Sequence, residues 1–292
     1  MPKDFVPPHF SYSSMSSWMQ CGQQYYLQKM AHVPELPSWW LVGGSAVHAV
    51  TEQYDLENFP ENGIDQLWQD TFNAGVEEQK TRFPDVSKWR TAGRKSKAKP
   101  DGEDYLAWMD LGPQFVRNYI EWRKLTQFKI WDEAVVGFDQ DTGEVETTSG
   151  VELSLEFEIG GWMCRGSIDR VFYVPNSTDL IVVDIKTGSR MPDNDLQLGM
   201  YAVGMEVQYG ERPKYGAFYN PRLNKMSDLF DMSPYTVDSL AQMGVQFKSA
   251  IKNKIFLPHK SVLCGYCSVS AGCAAVGGKD AHLYTIEKVL NA

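Results

Sequence analysis

A chain of 292 residues, 43% hydrophobic and 22% charged, carries enough apolar material to bury a full core, which excludes disordered and fibrous classes. Its net charge of −9 argues against a protein that coats nucleic acid non-specifically, although acids gathered around bound cations would not oppose a nucleic-acid enzyme. No apolar run reaches membrane-spanning length and MPKDFVPPHF lacks a hydrophobic signal segment, so no membrane partner and a cytoplasmic location are expected.

Taken in order, Ser11 to Met30 is predicted as one helix entered through serines, with Met15, Trp18, Tyr25 and Met30 on its apolar face. Leu41 to His48 reads as a glycine turn leading into a helix over Ala49 to Glu57. Ile64 to Arg82 and Glu103 to Phe128 are two further helices, the second with a broad apolar stripe from Tyr105 to Ile120 that reads as core. Between them, Val86 to Pro100 is basic and free of acids. Within it Lys95, Lys97 and Lys99 are candidates for tracking a DNA backbone. Together, residues 58–128 read as a helical insertion with a basic loop.

Strand character begins near Ile130. Val151 to Ile159 alternates cleanly, with Val151, Leu153, Leu155, Phe157 and Ile159 on one face and Glu152, Ser154, Glu156 and Glu158 on the other. Gly160-Gly161 then turns the chain into a partner strand over Trp162 to Val174, on which Cys164 is a small core hydrophobe. After Pro175-Asn176-Ser177 comes the strand Leu180 to Lys186. Its period of two puts Asp184 and Lys186 on one face and Ile181, Val183 and Ile185 on the other. If this strand pairs with its predecessor, Asp169 joins them, and two carboxylates with a lysine suit a hard divalent cation and a phosphate. Asp195 to Tyr209 is a helix that sets Gln197 and Tyr201 on one face; short strands (Tyr215 to Tyr219, Lys225 to Met232) and a last helix (Pro234 to Lys254) follow.

The ordered motifs Gly166-x-Ile168-Asp169, Asp184-Ile-Lys186-Thr-Gly188 and Gln197-x-x-x-Tyr201, with Gly44-x-x-x-His48 upstream, resemble the RecB-like nucleases of the PD-(D/E)xK superfamily. The resemblance implies an α/β fold with a restriction-endonuclease-like core, a mixed and mainly antiparallel sheet flanked by helices. It implies Mg²⁺ or Mn²⁺ held by His48, Asp169, Asp184 and the carbonyl of Ile185. Lys186 would assist the attacking water, and Gln197 and Tyr201 would support the site. Glu152 is the best-placed match to a glutamate that such proteins often carry near this hairpin. The implied activity is a metal-dependent DNA exonuclease on single strands or ends, in a bacterium or phage-infected cell. A DNA-end-binding subunit of a larger complex is the alternative. With no G-x-x-x-x-G-K-[ST] loop in the chain, any helicase would be a separate recombination partner.

Five cysteines in such a protein do not read as a disulfide framework. Cys264, Cys267 and Cys273 form a compact trio within the C-terminal segment 256–274, and Cys21 is available as a fourth ligand. Four thiolates suit a [4Fe–4S] cluster or a structural Zn²⁺. The same pattern resembles the iron–sulfur RecB-like nucleases, including the AddB nuclease domain and the CRISPR-adaptation nucleases. In those the cluster clips the C-terminus to the N-terminal helix.

Overall fold

Ser11 opens the first helix by accepting a hydrogen bond from the Ser14 backbone N–H at 3.2 Å. In the computed structural model, which describes residues 6–57, 59–93, 102–132, 134–138 and 145–290, the first half of the chain is largely helical. It runs β1 (His9–Phe10), α1 (Tyr12–Gln20), α2 (Gly22–Tyr25), a π-helical turn (Tyr26–Met30), α3 (Trp39–Glu57), α4 (Ile64–Lys80) and α5 (Tyr105–Thr126). The strands follow: β2 (Lys129–Ile130), β3 (Ala134–Phe138), β4 (Val145–Thr148), β5 (Val151–Ile159), β6 (Trp162–Tyr173) and β7 (Leu180–Ile185). Then come α6 (Leu196–Tyr209), β8 (Tyr215–Asn220), β9 (Lys225–Met226), β10 (Phe230–Asp231) and α7 (Val237–Lys252). The predicted Lys225–Met232 strand is therefore two short ones, and Lys95, Lys97 and Lys99 lie outside the described residues.

Two compact units divide these elements, one from Pro37–Leu155 and Ser167–Pro234, the other from Met1–Leu36, Glu156–Gly166 and Tyr235–Ala292. In the larger unit β6 pairs antiparallel with β7, with Arg170 opposite Val183, and β7 runs parallel to β8. The short strands β9 and β10 pair antiparallel with β8, and β2 pairs antiparallel with β6. The sheet is open, mixed and mostly antiparallel, as expected. All six residues of β7 are buried, so this strand is central and both its faces are covered. Ile181, Val183 and Ile185 pack with Phe172, Ala217, Tyr219, Tyr119 and Trp122.

A second core joins α3, α4 and α5 through Trp39, Val47, Trp68, Phe72, Trp108 and Phe115. Here the structure corrects the predicted glycine turn, because Gly43 and Gly44 lie inside continuous α3. A Cβ on Gly43 would come within 2.1 Å of the Trp108 ring, so the residue serves helix packing rather than chain reversal. Trp89, amid the basic stretch, is buried against Trp39 with ring centroids 4.6 Å apart.

In the smaller unit β1 runs parallel to the start of β6, with Phe10 opposite Cys164. Phe10, Tyr25, Trp162 and Phe247 of α7 form its aromatic core. The Gly160-Gly161 turn has φ of +59° and +71°, the left-handed pair a two-residue hairpin requires. The single helix predicted for Ser11 to Met30 is broken at Cys21, which is extended (φ −162°, ψ 103°). The cause is a close approach: a Cβ on Gly22 would lie 2.9 Å from the Leu257 backbone nitrogen. Gln23 also donates its N–H to the Leu257 carbonyl at 3.2 Å.

Candidate metal centre

The β6–β7 register pairs Arg170 with Val183, and Asp169 and Asp184 are the next residues along their strands beyond that pair. Asp169 Oδ2 accepts the Ile185 N–H at 2.5 Å, which fixes the carboxylate against the neighbouring strand. From α3, His48 places Nδ1 3.3 Å from Asp169 Oδ1 and 3.8 Å from Glu152 Oε1. One ligand atom from each of His48, Glu152 and Asp169 lies within 4.8 Å of the others. Glu152, which the sequence offers both as the polar face of an alternating strand and as the match to a family glutamate near this hairpin, stands in this group. Its φ of +47° is left-handed within β5, a local departure that aims the carboxylate at His48 and Asp169.

Asp184 is 2% exposed, so its carboxylate is a buried group rather than a solvated surface charge. Its Oδ2 lies 2.6 Å from Lys186 Nζ, an ion pair that ties the buried acid to the lysine. Lys186 donates to Gln197 Oε1 at 2.9 Å, Gln197 Nε2 to Tyr201 Oη at 2.6 Å, and Tyr201 Oη to Asp184 Oδ1 at 3.5 Å. The predicted lysine, glutamine, tyrosine and second aspartate thus form one chain. Behind it, Asn220 Nδ2 donates to the Gly188 carbonyl at 2.9 Å and Arg222 Nε to the Thr187 carbonyl at 3.1 Å. Glu103 grips Arg222 in a two-pronged pair of 2.8 and 2.9 Å. Sequence reading gave Asn220 and Arg222 no role, since their partners are more than thirty residues away.

The electrostatics are those of a crowded anionic site. Burial, then the adjacent Asp169 charge, pushes the Asp184 carboxyl up to about 7, against the pull of Lys186. Burial opposes ionisation of Asp169 too, but the His48 charge and hydrogen bonds from His48 and Ile185 outweigh it and hold that carboxyl below its usual range. Burial alone would lower His48. The carboxylates of Asp169 and Glu152 reverse this and raise the imidazolium to about 10. Anionic oxygens and an imidazole gathered at one place fit a hard divalent cation.

A sequence-family model described as the PD-(D/E)XK nuclease superfamily matches residues 9–274. The chain belongs to that superfamily. Its nucleases typically use divalent metal ions, which agrees with the group around His48. Relatives include the Gene 69 protein of Mycobacterium phage D29, 26% identical over 279 residues, and that of Mycobacterium phage L5, 27% identical over 286. Each alignment covers 91% of this chain and 96% of the relative. Among the described residues no helix is long and apolar enough to cross a membrane.

In the smaller unit, Cys21, Cys264, Cys267 and Cys273 line one cavity, together with Leu27, His259 and Val269. Cys21 Sγ accepts the His259 backbone N–H at 3.3 Å, and Cys264 Sγ accepts that of Ser261 at 3.5 Å. Burial raises the Cys267 thiol, as do its neighbours Cys273, Cys21 and Cys264, while the Val269 N–H opposes them. Cys164 is 3% exposed on β6 and burial pushes it up to about 12, the behaviour of a core thiol.

Proposed function

We propose that this nuclease is a RecB-type, Mg²⁺- or Mn²⁺-dependent deoxyribonuclease acting as an exonuclease on single strands or ends, in recombination, repair or phage replication. The observation that carries the reading is the convergence of His48, Glu152 and Asp169, with Asp184 and Lys186 alongside on adjacent strands. His48, Asp169, Asp184 and the Ile185 carbonyl would hold the metal, joined by Glu152. A divalent ion supplies Lewis-acid polarisation of a phosphoryl oxygen and a more acidic water.

The protein's own groups do the rest. Lys186, fixed between Asp184 and Gln197, orients the water and stabilises charge developing on the phosphoryl oxygens. Tyr201 and Gln197 hold Lys186 and the Asp184 carboxylate in place and face the substrate. Lys95, Lys97 and Lys99 would follow the DNA backbone. The intact set of acids and lysine supports catalysis over end binding alone within a helicase or spacer-acquisition complex.

The four-cysteine cavity is assigned a structural [4Fe–4S] cluster, with Zn²⁺ as the alternative. Two of its sulfurs already accept backbone N–H groups, an environment that favours thiolate ligands. The exonuclease reading is tested with end-labelled linear strands and covalently closed circles in the presence of Mn²⁺. It expects mononucleotides or short products from linear DNA and intact circles. Cleavage of closed circles at the same rate would replace exonuclease with endonuclease.

A further inference from the structure

Arg170 follows Asp169 on β6, and none of its side chain reaches solvent. A buried guanidinium must spend its donors on partners, since each unmet N–H costs desolvation energy. Nε donates to Asp55 Oδ2 at 2.7 Å and to Tyr119 Oη at 3.0 Å, which anchors the head on α3 and α5. The remaining donors turn toward the metal group. Nη1 reaches the Asp169 carbonyl at 2.5 Å and Glu152 Oε1 at 3.4 Å. Nη2 donates to Thr51 Oγ1 at 3.2 Å, and that hydroxyl donates to the His48 carbonyl at 3.0 Å. A single buried side chain thus touches Glu152 and Asp169 directly and His48 through one hydroxyl.

Two further observations give the contact a purpose. Asp55 is shared by Arg170 and Arg123, so two guanidiniums face one carboxylate and leave positive charge in the interior behind the site. Glu152 carries the left-handed backbone already described, and its Oε2 accepts from Ser167 Oγ at 3.3 Å. Such a backbone persists only where its surroundings over-determine it. The geometry points to Arg170 as the positioning residue of the metal group: its unspent charge draws the Glu152 carboxylate in beside His48 and Asp169 before any cation arrives. This rests on the nuclease reading for the identity of the bound ion. Arg170 does not touch the reacting phosphate.

The experiment is Mn²⁺ binding to the DNA-free protein, followed by titration calorimetry, for wild type, Arg170→Lys, Glu152→Gln and the double variant. Lysine keeps the charge near Asp55 but cannot serve all the acceptors of a fork. Arg170→Lys is expected to weaken Mn²⁺ binding about ten- to a hundredfold, in line with outer partners of metal ligands. In the Glu152→Gln background the same change should cost little more, because its route to the metal runs through that carboxylate. Thr51→Val, a near-isosteric change that leaves Asp55 paired, gives a second reading if Arg170→Lys fails to fold, and should also weaken Mn²⁺ binding. Additive losses in the double variant, or thermal destabilisation with unchanged Mn²⁺ affinity, would overturn the positioning role and leave the nuclease reading intact. Absence of Mn²⁺ binding by the wild type would overturn both.

Discussion

Asp184 is buried on the central strand β7, where its charge is expensive unless it serves a purpose, and Lys186 follows directly after the strand and pairs with it. Asp184→Asn keeps the shape and removes the charge. Its expected outcome is a loss of cleavage of about a thousandfold or more, equivalent to about 4 kcal/mol of transition-state stabilisation. The melting temperature of the metal-free protein should move by only a few degrees, about the effect of 1 kcal/mol. Lys186→Ala should lose a similar factor in rate while DNA binding persists. Both are measured by single-turnover cleavage at saturating Mn²⁺, with DNA binding followed separately. These two residues were legible in sequence because a strand's period of two fixes which side chains share a face. Glu152 was only half legible: alternation gave its face, but not the left-handed backbone that turns it to the metal group. Arg170 was not legible at all. An arginine in an apolar strand looks like a surface residue until Asp55, 115 positions away, is brought to it.

At the scale of elements, short-range periodicity is visible in the sequence, whereas packing between distant residues is not. The alternation of β5 and the apolar stripe of α5 are buried as expected. Gly43 looks like a turn glycine in sequence because helix-on-helix contact leaves no local mark; Trp108, 65 positions on, explains it. Gly43→Ala therefore tests packing against propensity. Alanine favours a helix by about 1 kcal/mol over glycine. A methyl driven into the indole should cost about 1–3 kcal/mol and outweigh that gain. A net fall in urea stability is expected, and a net rise would show that α3 and α5 can part to admit the methyl. The break at Cys21 has the same origin, since the approach of Leu257 to Gly22 involves residues 235 positions apart.

At the scale of the whole molecule, the larger unit holds the group around His48, and the smaller one the four-cysteine cavity for which a cluster is proposed. Protein purified without oxygen should be brown and hold about four irons per chain. A colourless protein with about one zinc would leave the fold and replace the cofactor. Cys21→Ala should lose the metal and lower the melting temperature about as much as Cys267→Ala, because both line the same cavity. Cys164→Ala should keep the colour. Retention of full iron by Cys21→Ala would show that another group completes the centre.

The most direct test of the central claim is cleavage of end-labelled single-stranded DNA by the purified wild-type protein, with chelator and then with added Mn²⁺, beside Asp169→Asn. Degradation is predicted only with Mn²⁺ and only for the wild type. Equal degradation in chelator, or by Asp169→Asn at the wild-type rate, would contradict a metal-dependent nuclease built on His48, Glu152, Asp169 and Asp184.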